Sequence, residues 1–215
     1  MRHSLSLVLW SLIALLFVQC AKRGNPSGGP EDETPPVLLR TVPELNAIQF
    51  REDRIRLYFD EYVKLNKLKE QLIISPPIDP ASYVISPQGT AAKYVQIELM
   101  DSLRSNTTYN FNFGQSIVDN NEGNPYPYFR YVFSTGDYVD SLQIRGTIGN
   151  AYGREAKNFV SVMLYKVDST YTDSLIYNHP PDYLSNTLDS LAFFEIGNIR
   201  SGRYLLIAQN DIENN

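Results

Sequence analysis

Cys20 is the single thiol of a 215-residue chain. Alone, it closes no internal disulfide and seeds no cysteine-based zinc site. It stands at a seam: residues 5 to 18 are apolar apart from Ser6 and Ser11, while residues 21 to 36 are mostly Gly, Pro and charge. A thiol so placed is suited to carrying lipid, because each buried acyl CH2 contributes about 0.8 kcal/mol and two chains anchor a protein stably. His3 and His179 are the only imidazoles. A nucleophilic triad would rest on His179 alone, next to Pro180-Pro181, with no Gly-x-Ser-x-Gly elbow. No glycine-rich phosphate loop is present. The neighbouring acids Asp60-Glu61, read as a strand end, and Asp119 with Glu122, sharing a turn, read as solvated turn charges rather than glycosidase acids, which must face each other across a cleft.

Three other patterns carry chemistry. In Asp119-Asn120-Asn121-Glu122-Gly123-Asn124 the first and third residues suit an EF-type calcium loop. The glycine comes one residue early and Arg130 stands where a glutamate ligand belongs, so a tight turn is the favoured reading and no metal is expected. Tyr126 and Tyr128, preceded by Pro125 and Pro127 respectively, are read as an exposed pair for ligand contact, and Phe129, Tyr131 and Phe133 as core. Asp-Ser-Leu recurs at 101–103, 140–142, 173–175 and 189–191, with Asp168-Ser169-Thr170 close to it. This resembles the O-glycosylation signal of some envelope proteins of diderm bacteria, and nominates Ser102, Ser141, Ser169, Ser174 and Ser190. The plainer reading is that Asp-Ser opens strands and turns.

The elements that must position these residues begin with the leader. Arg2 and His3 followed by a 14-residue apolar stretch are too short to span a bilayer, which takes about 20 residues, and have the form of a secretory signal. Its end, Phe17-Val18-Gln19-Cys20, resembles the lipobox of bacterial lipoproteins. That resemblance implies cleavage after residue 19, acylation of Cys20 and, with Ala21 rather than Asp next, an outer-membrane destination, in either leaflet. Residues 20 to 36 then form the acylated end and a tether. Four prolines and three glycines break regular structure and Glu31, Asp32 and Glu33 keep it solvated, for a reach on the order of 20 Å.

From residue 37 to 137 short alternating segments recur. Ile55, Leu57 and Phe59 oppose Arg54, Arg56 and Tyr58; Val95, Ile97 and Leu99 oppose Tyr94, Gln96 and Glu98; Tyr109, Phe111 and Phe113 share a face, as do Phe129, Tyr131 and Phe133. Only residues 63 to 71 suggest a short helical turn. About seven strands in about 100 residues predict an all-β, immunoglobulin-like sandwich. The opening Pro35-Pro36, the FDEYV strand, the ISPP strand, Asn-Thr-Thr-Tyr, the Asp119…Gly123-Asn124 turn and the closing Phe-Ser-Thr-Gly together resemble the bacterial Ig-like domain of S-layer-type surface proteins. The resemblance implies a spacer or binding module on the cell envelope and no catalysis. From 140 to 215, Ile-x-Gly-x-Ile, Val-x-Leu-Tyr and FFEIGNIRSGRYLLIAQND resemble the small prealbumin-like sandwich of carboxypeptidase regulatory domains. That unit is expected to be incomplete, since stopping after its last strand leaves an open sheet edge.

The expected protein is a lipid-anchored, non-catalytic envelope module without a cofactor, held to the membrane by its N-terminal lipid and partnered by an envelope protein or a glycan. With a net charge of −5 and no Lys/Arg cluster, nucleic acid is not an expected partner. The alternatives are a glycan-binding lipoprotein of a polysaccharide-uptake system, or the N-terminal part of a larger envelope enzyme.

Overall fold

Every core position read from the alternating segments 54–60, 93–99 and 108–113 is buried. Ile55, Leu57, Val95, Ile97, Phe111 and Phe113 are fully enclosed. The computed structural model describes residues 32–149, 160–187 and 192–210; Cys20, the leader and Ser190 lie outside these. The strands are β1 (Leu38–Val42), β2 (Arg54–Leu65), β3 (Ile73–Ser75), β4 (Tyr83–Ser86), β5 (Ala92–Leu99), β6 (Thr108–Asn112), β7 (Ile117–Asp119), β8 (Arg130–Ser134), β9 (Leu142–Thr147), β10 (Val160–Lys166), β11 (Tyr183–Asn186), β12 (Phe193–Ile199) and β13 (Tyr204–Asn210). The protein is all-β, as its composition and periodicity predict.

The first sandwich packs the sheet β1-β2-β5-β4, with β7 beside the far half of β2, against β3-β6-β8. All pairs are antiparallel. Between them sits an aromatic core. Phe133 touches Phe50 at 4.1 Å, Tyr109 at 5.6 Å and Phe111 at 6.0 Å between ring centroids. Burial of each such ring is worth about 1.5–3 kcal/mol from apolar area alone.

The helical reading of residues 63–71 holds only at its end. β2 runs on through Leu65, and helix is confined to Leu68–Gln71. Val63 is fully buried and paired with Asp119 of β7, so strand pairing outweighs local propensity. Between Tyr58 and Val63 the register against β5 shifts, and on its other side β2 passes from β1, paired through Phe59, to β7, paired from Val63. Asp60 and Glu61 therefore sit inside this irregular stretch of β2 and not at a strand end. Asp60 Oδ1 accepts a hydrogen bond from the Val37 amide at 2.8 Å.

The second β unit has a three-stranded sheet, β11-β10-β13, and a two-stranded ribbon, β12-β9. Their own core contains Val162, Leu164, Tyr183, Phe194, Ile196 and Ile199. Phe194 lies opposite Gly146, where a Cβ would come within 2.7 Å of its ring; only glycine lets the ring settle there. Among the described residues β13 is an edge strand, with Leu205 and Leu206 exposed.

This unit packs on the outside of β3-β6-β8. Thr108 and Asn110, which alternate with the core residues of β6, are buried as a result, at 2% and 8% exposure. The contact is polar, and its groups are paired save for Asn110 Oδ1, which is buried without a hydrogen-bond partner. Arg130 meets Glu195 at 2.6 Å and Arg145 meets it at 2.7 Å. Asn110 Nδ2 donates to Asn198 Oδ1 at 3.0 Å, and Asn198 Nδ2 to the Asp140 carbonyl at 3.0 Å. The Thr108 hydroxyl donates to Asp140 Oδ2 at 2.9 Å. Arg200 reaches Asp140 at 3.4 Å and the Asn106 carbonyl at 2.7 Å. The Arg130 hydrogen bond holds the Glu195 carboxyl below the usual carboxylate range, against the opposing effect of burial and with help from Arg145.

Candidate binding face

The outward residues of β1, β2 and β5 make three rungs across the sheet. The register places Arg40, Tyr58 and Tyr94 side by side; then Val42, Arg56 and Gln96; then Arg54 and Glu98. Neighbouring strands lie about 4.8 Å apart and successive rungs about 7 Å apart along a strand. The Arg40 guanidinium sits 4.0 Å from the centre of the Tyr58 ring, and Tyr58 and Tyr94 lie 5.9 Å apart. Arg56 reaches diagonally to within 5.5 Å of the Tyr94 ring while its Nε donates to Gln96 Oε1 at 2.8 Å. Beside the irregular stretch of β2, the Lys93 ammonium stands 5.7 Å from the Tyr62 ring and donates to the Asp60 carbonyl at 3.1 Å.

The electrostatics are unusual for an acidic protein. Among the described residues no carboxylate pairs with Arg40, Arg56 or Lys93. These cations rest on aromatic faces, an arrangement worth about 0.5–1 kcal/mol at an exposed site, and keep their charge available. Tyr62 and Tyr94 are 56% and 38% exposed. Arg54 is bound to Glu98 at 3.3 Å, an exposed pair that contributes little. A groove of about 570 Å³ lined by residues 38–45 borders the face on the β1 side, so Arg40 belongs to both. The face can hold a planar, hydroxyl-bearing or anionic partner; it assembles no nucleophile and base.

The residues nominated from sequence lie elsewhere. Tyr128 is 49% exposed, and its hydroxyl accepts from Gln115 Nε2 at 3.3 Å. Tyr126 does not share that exposure. A bridge between Val118 and Pro125 draws its segment against β7, and its ring packs on Phe59 and Phe129, each at 5.6 Å. The expected exposed pair is thus one exposed ring and one rim residue of the core. Ser102, Ser141, Ser169 and Ser174 are all exposed; Ser190 falls outside the described residues. Their aspartates are engaged: Asp101 accepts from Ser82 at 2.5 Å, Asp140 from Thr108 at 2.9 Å, and Asp168 from the Thr170 hydroxyl at 2.7 Å. Ser102 also lines a cleft of about 440 Å³ with Arg51, Glu52, Asp53 and Asp101.

The Asp119 segment is a closed turn. Its buried carboxylate accepts from the amides of Glu122, Gly123 and Asn124 at 2.8, 3.0 and 2.6 Å, and Gly123 takes φ +88°, which favours glycine. Burial pushes the Asp119 carboxyl up, but the Gly123, Asn124, Glu122 and Asn121 amides outweigh it, so the group titrates below its ordinary value. Among the described residues no group of three or more His, Cys, Asp and Glu is placed to hold a metal ion. His179 is exposed at the end of the Leu175–Asn178 helical turn.

The Arg–Tyr face went unread because its signal was split. Arg54, Arg56 and Tyr58 on one strand and Tyr94, Gln96 and Glu98 on another are visibly the polar sides of two amphipathic strands, but only the register brings them together. Residues 32–135 match the family model described as bacterial Ig-like domain. No curated protein matches the chain. Two solved structures are similar. One is the N-terminal part of the bacterial S-layer protein SbsC, at 12% identity and TM-score 0.31, over 83% of this chain and 45% of that one. The other is BcpA*(D312A), the major pilin subunit of Bacillus cereus, at 9% identity and TM-score 0.24, over 79% of this chain and 57% of that one. The chain spans about half the length of these solved chains.

Proposed function

We propose that this protein is a lipid-anchored module of the bacterial cell envelope. Cys20 carries the lipid, residues 21–36 act as tether, and the Ig-like domain works by non-catalytic binding. The observation that carries the binding role is the Arg40–Tyr58–Tyr94 rung with Arg56 beside it: cations with no carboxylate partner among the described residues, a half-buried Tyr58 and an exposed Tyr94, on the outside of a sheet whose other face is core. A pure spacer has no use for such a face, and guanidinium groups without carboxylate partners among the described residues bring the fold little stability. The anchoring is supported by the lipobox-like Phe17-Val18-Gln19-Cys20 and the polar run that follows. Among the described residues no helix is long and apolar enough to cross a membrane. The exposed Asp-Ser serines stand as candidate O-glycosylation sites. An intact mass equal to that of the lipidated polypeptide would dismiss them.

The test of the binding role is co-sedimentation of the mature chain with delipidated cell envelopes of the parent organism. The wild type is expected to pellet, and Tyr58→Ala/Tyr94→Ala to remain in the supernatant. Equal pelleting of both would leave the face without a function.

A further inference from the structure

We infer that the ligand of this face is an extended acidic polysaccharide, one whose sugar rings carry carboxylates. The inference rests on the binding role proposed above and names its ligand class. Three features of the face select that chemistry. Its cations are separated rather than massed: Arg40 on β1, then Arg56 and Arg54 on β2, at intervals of about 7 Å along the strand. A polymer with one negative group per ring presents anions at intervals, with neutral ring between them. The surface between the cations is aromatic: Tyr58, half-buried beneath Arg40, braces the exposed Tyr94, which offers apolar ring surface to the C–H side of a sugar while Gln96 offers amide hydrogen bonds. Arginine forks match carboxylates in bidentate geometry.

Charge complementarity decides against the other polyanions. The chain is acidic overall, at −5, and Glu98 stands within the face beside Arg54. A nucleic acid or an anionic bilayer presents dense charge and calls for a broad basic surface. A polymer with spaced charges fits between Glu98 and the arginines. The bordering groove along residues 38–45 gives a chain somewhere to continue past Arg40, which a single small sugar would not need.

The experiment is affinity electrophoresis of the full chain, in detergent, through gels containing polygalacturonate, dextran or no polymer, with flotation on phosphatidylglycerol vesicles alongside. Polygalacturonate is expected to retard the wild type, dextran to leave it unretarded, and rising salt to abolish the retardation. Arg40→Gln/Arg56→Gln is expected to weaken binding by about tenfold or more. Tyr94→Ala is expected to weaken it while Tyr94→Phe, which keeps the ring, retains it. Melting temperatures close to the wild type show that these exposed substitutions leave the fold intact. Three results overturn the inference: no retardation by polygalacturonate at low salt, equal retardation of the Arg40→Gln/Arg56→Gln variant, or binding to the anionic vesicles without binding to the polymer. If polygalacturonate fails while envelope co-sedimentation still depends on Tyr58 and Tyr94, the binding role stands and only this ligand class falls.

Discussion

Asp119 shows how one carboxylate can be read from sequence and what it then does. Asp, two Asn, Gly and Asn in six residues call for a side chain that binds nearby backbone and a position with positive φ, and the structure has both. Asp119→Asn keeps the shape but replaces an oxygen acceptor with a donor against three amides, so a loss of about 1–3 kcal/mol in folding free energy is expected by denaturant titration. The pH dependence follows from the lowered value of Asp119 in the folded state. Its contribution is full above the unfolded carboxylate range, about pH 4, and is lost as pH falls through the depressed folded value. Glu195 is lowered too and acts in the same direction. Melting temperature should therefore drop on acidification below about pH 4, and drop less steeply in Asp119→Asn. Tyr126 was not legible in the same way. Its flanking prolines mark a loop, but only the Val118–Pro125 bridge puts its ring on Phe59, and that is a contact between segments.

At the scale of elements, alternation carried most of the first sandwich, because a period of two states directly which residues face the core. It misled where an element has a second neighbour. Residues 63–65 have an ambiguous local pattern and become strand because β7 pairs with them. Thr108 and Asn110 look like a solvent face and are covered by the second β unit. That contact is where the energetics are most exposed to mutation. Glu195→Ala strips Arg130 and Arg145 of their shared partner. It should cost about 1–3 kcal/mol, discounted from a fully buried pair because both arginines keep access to water. Limited proteolysis should then cut the variant near residues 137–142 faster than the wild type; unchanged cleavage would mean the ion pairs contribute nothing to docking. Phe133→Ala, in the shared aromatic core of the first sandwich, should cost about 3–5 kcal/mol by the same assay. Substituting Arg40 or Tyr94 on the binding face should leave stability within about 1 kcal/mol.

At the scale of the molecule, strand content and fold class are written in composition and periodicity, whereas the candidate binding face is written in pairing. Arg40, Tyr58 and Tyr94 are far apart in the chain and become neighbours only through two antiparallel registers. The proposed lipid end is the reverse case: a local, lipobox-like pattern at residues 17 to 20 that needs no fold to be recognised. In the proposed function the two halves make one device, an anchor to fix the module at a membrane and a sheet face to hold a partner. The anchor is the premise on which the rest depends. Its most direct test is fractionation of cells expressing the wild type or Cys20→Ala, both followed by immunoblot. The expected result is wild type in the membrane pellet, released by detergent alone, and Cys20→Ala in the soluble fraction. Wild type in the soluble fraction, or a Cys20→Ala protein still held in the pellet, would contradict lipid anchoring at Cys20.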